Sequence, residues 1–421
     1  MINKTYDIVI AGGGTAGCAC AYTAAKSGMK VLVIETNSFL GGSITSSLVI
    51  PAMKTSDKAI NTDFYNKLYE ELHNINGAST YSDGNKGWFN PELTKIVLDK
   101  LLKSAGADIL FESCIDKIKK QLSSYTVTIC TNNNICSNDD LLVHIDTKYL
   151  VDATGDAIIC KKLNYEFLDE EEKKSQPVNL RFIMSGINIK EFERWITNYD
   201  TDRNVTTSCR TDNNILLSTA YTWDENAKWA LKPLFEDAVN KEIITEEDSN
   251  YFQIFSVAGT PDSVAFNCPR ILNSNISRSD AYIKGRESIL RLSDFCRQYL
   301  PGFEKAYISS IANSIGVRVS GRVKGKYTYT KEDLILGKKF DNPVVISDYP
   351  IDVHSSDKNT SKLEKVNQEY QLPIESLIVD DNLFVIGRCI SADFEAQAAL
   401  RIIPSCISMG EGLAKYLSKL S

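Results

Sequence analysis

Histidine is nearly missing from this sequence, with three in 421 residues, so any histidine inside a motif stands out as a group that titrates near neutral pH. A basic surplus is also missing. Lys and Arg number 47 against 54 Asp and Glu, a net charge of −7 with no basic tail, which argues against a nucleic-acid or other polyanion partner. No apolar run approaches the roughly 20 residues that span a bilayer, so no membrane partner is expected. Met1–Lys4 is polar and the short apolar run Tyr6–Ile10 follows at once, unlike an export leader with its apolar stretch of about 7–15 residues. The expected location is therefore cytoplasmic. The eleven cysteines are scattered, odd in number and never arranged as Cys-x-x-Cys. That spacing excludes a disulfide framework, a zinc site and an iron–sulfur site, and leaves mostly buried free thiols with no metal. Repeats and low-complexity tracts are absent. What remains, 43% hydrophobic and 24% charged residues, is ordinary for a globular chain of two or three domains at about 150 residues each.

The first 35 residues read as strand, glycine turn, helix, strand. Ile8–Ala11 is a short apolar run, Ala16–Ser27 is small and helix-compatible, and Gly28 ends the helix. Lys30–Glu35 is continuously apolar up to its last residue, as a parallel strand buried on both faces is. Between them, Gly12, Gly14 and Gly17 fit G-x-G-x-x-G, and Glu35 lies eighteen residues beyond Gly17. In that context the pattern is a dinucleotide fingerprint. Gly12 permits the tight turn, Gly14 lets backbone N–H groups approach a diphosphate, and Gly17 lets helix and strand pack closely. The helix N-terminus holds the negative charge and Glu35 accepts from ribose hydroxyls.

Further along, apolar spacing predicts a helix over 62–73 capped by Thr62 or Asp63, and a second from Pro91 to Gly106 capped by Asn90. A strand at Asp108–Phe111 is followed by an antiparallel meander over 115–151, with turns near 120–124, 131–135 and 137–140. Residues 176–345 differ in character. Strand-like pieces (178–187, 215–222, 251–257, 264–271) alternate with helices (189–197, 224–238, 279–299) and polar loops near 198–213 and 272–278. The alternation of buried strand, glycine turn and helix resumes with strand Leu383–Ile386 and a helix over 404–418. The fold class expected is α/β: a Rossmann-type nucleotide-binding domain with an antiparallel meander (1–175 and 346–421) and an inserted mixed α+β substrate domain (176–345).

Several segments outside the fingerprint carry further signals: Gly41-Gly42-Ser43, Ala153-Thr154-Gly155-Asp156, Gly316-Val317-Arg318 with Arg322, Tyr349–His354, Gly387-Arg388-Cys389-Ile390-Ser391-Ala392, and Arg401–Cys406. With these segments the chain resembles the FAD-dependent oxidoreductase family over nearly its whole length. That family has a glutathione-reductase-like FAD domain with an inserted substrate domain, and is distantly related to fumarate reductase flavoproteins. The resemblance implies FAD as cofactor. It also implies hydride transfer between flavin N5 and a small organic substrate at the domain interface. This chain departs from the family at Val319, where an acidic residue is usual, and at Phe394, where histidine is common; residues 188–250 match no known pattern. A second nucleotide fingerprint, the paired tryptophans of flavin halogenases and the Asp-Gly motif of aromatic hydroxylases are all missing.

The resemblance assigns Gly12, Gly14, Gly17 and Glu35 to the ADP half of FAD. Gly41, Gly42, Gly387, Arg388, Ile402 and Ile403 go to the flavin half, and Thr15, Ala16, Ser43, Ala153, Thr154 and Gly155 complete the contacts. Pro404 suits the first turn of a helix whose N-terminus would face the flavin. His354 is the candidate proton acceptor or donor, oriented by Asp352, since alternation in an extended segment puts both on one face. Equal parity on a strand would likewise point Arg318 and Arg322 the same way, either to grip substrate or a flavin carbonyl, or to form surface ion pairs. Arg318 is taken as a catalytic anchor, and Arg322 and Asp352 as substrate-binding. Cys389 is either an inert neighbour or a redox-active or flavin-tethering thiol. Two other readings stay open: a flavoprotein without net redox change, such as a lyase or isomerase, and a module that only sequesters FAD. The electron acceptor or donor and the oligomeric state are not legible.

Overall fold

A computed structural model describes residues 5–131, 143–168, 174–211, 214–222, 229–272, 276–354 and 361–420. At its centre strand Thr5–Ala11 (β1) pairs in parallel with Val31–Ile34 (β2) on one side and with Val143–Asp152 on the other. Ile8, Val9 and Ile10 are fully buried, because both faces of β1 are covered. Asp108–Leu110 extends the sheet beyond β2. Val143–Asp152 is long enough to serve twice. Its first half carries the antiparallel meander Ser113–Lys120 and Tyr125–Thr131, and its last residues pair in parallel with Leu383–Val385. Ile378–Asp380 closes that edge.

The register matters for function. Ala11 lies opposite both Ile34 and Asp152, and Asp152 opposite Val385, so four parallel strands end level. The turns that follow them meet at the carboxyl edge of the sheet, where doubly wound folds bind ligands.

A second, six-stranded antiparallel sheet runs in the order Thr207–Arg210, Ile215–Thr222, Tyr251–Ser256, Val264–Phe266, Phe182–Ser185, Tyr307–Ile311. Helix Arg278–Tyr299 buries Ile289, Leu292 and Phe295 in the core, and Phe295 meets Phe235 and Phe252 edge to face or tilted. The short pair Val178–Asn179 and Arg270–Ile271 joins this sheet to the site. Asn179 N–H donates to the Gly316 carbonyl at 3.1 Å, and the Asn179 carbonyl accepts from the Gly316 N–H at 2.7 Å.

The helix after the fingerprint, Thr15–Lys26 (α1), packs against the last helix, Ile403–Leu420. A Cβ on Gly410 would lie 2.1 Å from the Ala16 carbonyl oxygen, so the two backbones touch. The last helix also caps a neighbour. Glu411 is fully buried, accepts from Phe64 N at 2.9 Å and from Lys415 Nζ at 2.6 Å.

The expected helices at 62–73 and 91–106 are Asp63–Asn74 and Pro91–Ala105. Asn90 caps the second through Glu92 N and Leu93 N, but Thr62 makes no side-chain cap on the first. Glu411, an anion at the helix N-terminus, takes that role. The polar stretch 198–213, expected as loop, contains the edge strand Thr207–Arg210. Its polar side chains fit an edge facing water and hide it from an apolar pattern. The helix expected over 224–238 is Lys232–Asn240; residues 223–228 lie outside the described set, as do the turns expected within 132–142. No described helix is long and apolar enough to cross a membrane.

Gly410→Ala is expected to destabilise the protein by about 1–3 kcal/mol, because its methyl must force α1 and the last helix apart. Thermal and denaturant melts read the effect, and an unchanged midpoint would show that the two helices are not in backbone contact.

Candidate active site

The fingerprint turn is built by backbone packing. Gly12 has φ +104°, a left-handed conformation, and a Cβ there would sit 2.6 Å from the Ala153 carbonyl oxygen. A Cβ on Gly17 would meet the Gly12 carbonyl at 2.1 Å. Gly14 differs: no protein atom lies within 4 Å of the position its Cβ would take. It is also the N-cap of α1 and offers no side-chain cap to the first N–H groups of that helix. The result is a backbone cradle with space in front of uncapped helix donors, which suits a diphosphate. Glu35 is buried beside it. One carboxylate oxygen accepts from Gly13 N at 2.7 Å, the other from Asn37 N at 2.8 Å and Asn37 Nδ2 at 2.7 Å. The Gly41-Gly42 loop leans on the same turn, with Gly41 N donating to the Gly13 carbonyl at 2.8 Å. Ser43 is exposed next to it.

Asp152, at the end of its strand, fixes the next turn. Fully buried, it accepts from Thr154 N at 3.1 Å, Thr154 Oγ1 at 2.7 Å, Ile159 N at 2.8 Å and Cys160 N at 3.1 Å. Burial still lifts its carboxyl above the ordinary value. Sequence reasoning missed Asp152, although its place before Ala-Thr-Gly was a signal that could have found it. Arg388, expected on the cofactor, spends its guanidinium on protein. It donates to the carbonyls of Gly155 (3.0 Å) and Val317 (2.8 Å) and to Asp156 Oδ1 (2.6 Å), so it braces the Ala-Thr-Gly turn. Ile403 begins the last helix with Ile402 directly before it, and both are buried. Next to them Ser405 is buried with its hydroxyl left without a partner, on the wall of a cavity of about 350 Å³ that Ser56, Tyr65 and Ile346 also line.

The second centre is electrostatic. His354 and Asp352 share a face of strand Ile351–His354, and His354 Nε2 lies 3.2 Å from Asp352 Oδ1. Arg270 Nη2 lies 2.7 Å from His354 Nδ1. An arginine can only donate, so Nδ1 accepts and the ring proton sits on Nε2, facing Asp352. Arg401 Nη2 donates to Asp352 Oδ2 at 2.8 Å. A chain of contacts therefore runs Arg401–Asp352–His354–Arg270. Arg270 is paired in register with Asn179, whose Oδ1 accepts from Arg318 Nη1. Asn179 Nδ2 donates to the Asn267 carbonyl at 3.0 Å, and Asn267 Oδ1 accepts from Arg181 Nε at 2.8 Å. The Arg270 guanidinium lies 4.1 Å above the Tyr251 ring.

Burial and the Arg318 charge push the His354 imidazole from 6.5 down to about 3. Burial alone would raise the Asp352 carboxyl, but His354, Arg401 and Arg318 outweigh it and hold it well below the carboxylate range. Burial brings Arg181 down to about 10, and burial with the charges of Arg401, Arg181 and Arg270 lowers Arg318 as well. Three expectations change here. Residues 317–322 are not a strand, so parity does not align Arg318 with Arg322. Arg322 is fully buried and donates to the Ala392 carbonyl at 3.0 Å, while Arg318 is buried in the cluster, so neither lies at the surface. His354 is neutral with both ring nitrogens held, so it is not a free base in this arrangement. Arg181, Arg270 and Arg401 were not foreseen. Their partners are remote in sequence; Arg181 and Arg270 stand in no motif, and Arg401 opens the Arg401–Cys406 segment without a role of its own.

The sequence matches the family described as FAD dependent oxidoreductase over residues 7–416. The chain belongs to the FAD-dependent oxidoreductase family. Curated relatives match over short segments. Soluble pyridine nucleotide transhydrogenase from Marinomonas sp. is 38% identical over 74 residues, 17% of this chain and 16% of that protein. Thioredoxin reductase from Ureaplasma parvum is 30% identical over 98 residues, 23% of this chain and 31% of that protein. The match thus spans less than a third of either relative. Among solved structures, p-nitrophenol 4-monooxygenase from Pseudomonas putida is 10% identical with a TM-score of 0.48, covering 99% of this chain and 81% of that one. A flavoprotein/dehydrogenase from Cytophaga hutchinsonii is 11% identical with a TM-score of 0.47, covering 99% and 78%.

FAD is therefore the cofactor, and the cradle fits it. The space at Gly14, the uncapped start of α1 and the acceptor at Glu35 suit the ADP half of this oxidoreductase's flavin. Cys389 is fully buried and burial raises its thiol, so it stays protonated. Among the described residues no group of three or more His, Cys, Asp or Glu is placed to hold a metal.

Acid should expose the state of His354. Unfolded, the imidazole protonates below about 6.5; folded, it resists until about 3. Between those limits the unfolded state binds the extra proton, so stability falls as pH falls. From pH 6 to pH 4, wild-type unfolding free energy should drop faster than that of His354→Gln by about 1.4 kcal/mol per pH unit. Denaturant titrations across that range check it, and parallel curves would show that His354 is solvated.

Proposed function

We propose that this oxidoreductase moves a hydride between the N5 position of FAD and a small organic substrate. The substrate lies where the carboxyl edge of the parallel sheet meets the second sheet. Residues 1–175 and 346–421 then serve as cofactor domain and 176–345 as substrate domain. One observation carries the reading: Arg401, the cationic end of the Arg401–Asp352–His354–Arg270 chain, directly precedes Ile402 and Ile403 at the start of the last helix. The polar cluster and the expected flavin end of the cradle are thus one residue apart.

FAD, when bound, supplies a two-electron acceptor or donor. The remaining work belongs to the chain. Gly12, Gly14, Thr15, Ala16 and Gly17 would hold the diphosphate through backbone, and Glu35 would accept from the ribose. Gly41, Gly42, Ser43, Ala153, Thr154, Gly155 and Gly387 line the path, with Arg388 bracing it. The backbone N–H groups around Ile402 and Ile403, at a helix N-terminus, would favour negative charge on a flavin ring held there. Arg318 anchors substrate, while Arg322 supports the 392 turn rather than substrate. Asp352 orients His354. A substrate that draws Arg270 away would free Nδ1 and screen the charges that depress the imidazole. His354 would then be able to accept or return a proton.

Gly14→Val tests the cofactor half. No protein atom opposes the new side chain, so the apoprotein should melt as wild type does while FAD affinity falls at least a hundredfold. Equal FAD affinity in both proteins would refute the cradle. Anaerobic photoreduction followed by candidate substrates tests the redox half. Substrate-dependent recovery of the oxidised spectrum is expected. Turnover with a spectrum that never bleaches would instead support a reaction without net redox change.

A further inference from the structure

Among the described residues ten cysteines carry free thiols, and seven of these are buried. The two exposed ones, Cys114 and Cys130, stand directly opposite each other on the antiparallel strands Ser113–Lys120 and Tyr125–Thr131. The pairing around them is regular. Ser113 faces Thr131, Ile115 faces Ile129, and the register shifts only beyond Ile115. Ser113, Ile115 and Ile129 are buried, so by the alternation of a strand both cysteines lie on the opposite, solvent-facing side. Core packing accounts for buried thiols, but not for two that face water side by side.

Directly opposite residues of an antiparallel pair have Cα atoms about 4.5 or 5.5 Å apart, according to their place in the hydrogen-bond ladder. A disulfide accepts Cα separations of about 4.4–6.8 Å. In either case the sulfurs can meet by side-chain rotation while the register is kept. The two groups already act on one another. Partial burial, the Cys130 sulfur and Asp116 raise the Cys114 thiol, and the Lys162 ammonium works against them. Lys162 is held at this edge by donating from Nζ to the Asp116 carbonyl at 3.0 Å. A raised thiol disfavours fast attack on peroxide and favours slow exchange at equilibrium. The pair also stands near the cradle. Ser113 N donates to the Glu35 carbonyl at 3.0 Å, and Ile129, beside Cys130, pairs with Val143 of the strand that ends at Asp152.

We infer that Cys114 and Cys130 form a reversible dithiol–disulfide site, a modification site separate from the flavin and its substrate. The oxidant is a small disulfide of the glutathione class. The thiolate of one cysteine attacks a sulfur of that disulfide, breaks its S–S bond and releases one glutathione thiolate. The second cysteine, as thiolate, attacks the protein sulfur of the mixed disulfide, forms the Cys114–Cys130 bond and expels the second glutathione thiolate. Two protein thiols are oxidised, one external disulfide is reduced to two thiols, and the two protons pass to the glutathione thiolates. One exchangeable link of this kind is compatible with scattered cysteines that build no permanent framework.

The test equilibrates the FAD-loaded full chain with mixtures of oxidised and reduced glutathione, traps the remaining thiols by alkylation and maps linked peptides by mass spectrometry. In oxidised glutathione the Cys114–Cys130 link should outnumber glutathione adducts at these two cysteines by roughly tenfold or more, and dithiothreitol should reverse it. Cys130→Ser should turn the product into a glutathione adduct on Cys114. Cys136→Ser, which changes a cysteine outside the described residues, should leave the link as it is. The linked protein should melt no lower than the reduced protein, since the register already fits the bond. Stable glutathione adducts on both cysteines, a link from either to Cys136, a bond between two copies of the chain, or a lower melting midpoint on linking would overturn the assignment. So would both thiols staying free in oxidised glutathione. The peptide map of the unaltered protein decides by itself if a variant does not fold.

Discussion

Backbone approach at the end of β1 is the constraint on which the site depends. Gly12 lies against the Ala153 carbonyl, Gly17 against the Gly12 carbonyl, and Gly410 against the Ala16 carbonyl. These contacts lock two sheet turns, the first helix and the last helix into one block. With Ala11, Ile34, Asp152 and Val385 level, every turn that follows is delivered to the same edge. Asp152 then keeps the neighbouring turn in shape with four accepted hydrogen bonds, and Arg388 clamps it from outside. Arg388, which looks like a cofactor ligand in the sequence, acts here as a brace for the neighbouring backbone turn.

The electrostatic half has a different logic. Burial of charge is costly unless it is paired and hydrogen-bonded, and the cluster around Arg318 is built from such pairs. The bonds of Asp352 to Arg401 and His354 fix where the Arg401 guanidinium and, through the imidazole, that of Arg270 stand. The imidazole, squeezed between a carboxylate and a cation, stays neutral.

The nucleotide end was legible because its signals are local. Strand, glycine turn, helix and acidic strand end lie within 35 residues, and each residue's role follows from backbone geometry. The pair Asp352 and His354 was legible for the same reason, since two residues apart on a strand means one face. Arg318 and Arg322 show the limit of that rule. Their segment is not a strand, and burial sends one to the cluster and the other to the Ala392 carbonyl. The edge strand Thr207–Arg210 escaped notice because hydrogen bonding, not apolar alternation, holds it in place.

The sequence by itself determined the fold class, the nucleotide-binding turn and the family, since short-range periodicity and glycine spacing encode backbone shape directly. Tertiary structure alone decided the company each charged side chain keeps. Arg181, Arg270, Arg318 and Arg401 stand far apart along the chain, and only the folded chain brings their charges to bear on one another. Coulomb interactions depend on distance in space and on the loss of water, and neither can be read from order along the chain.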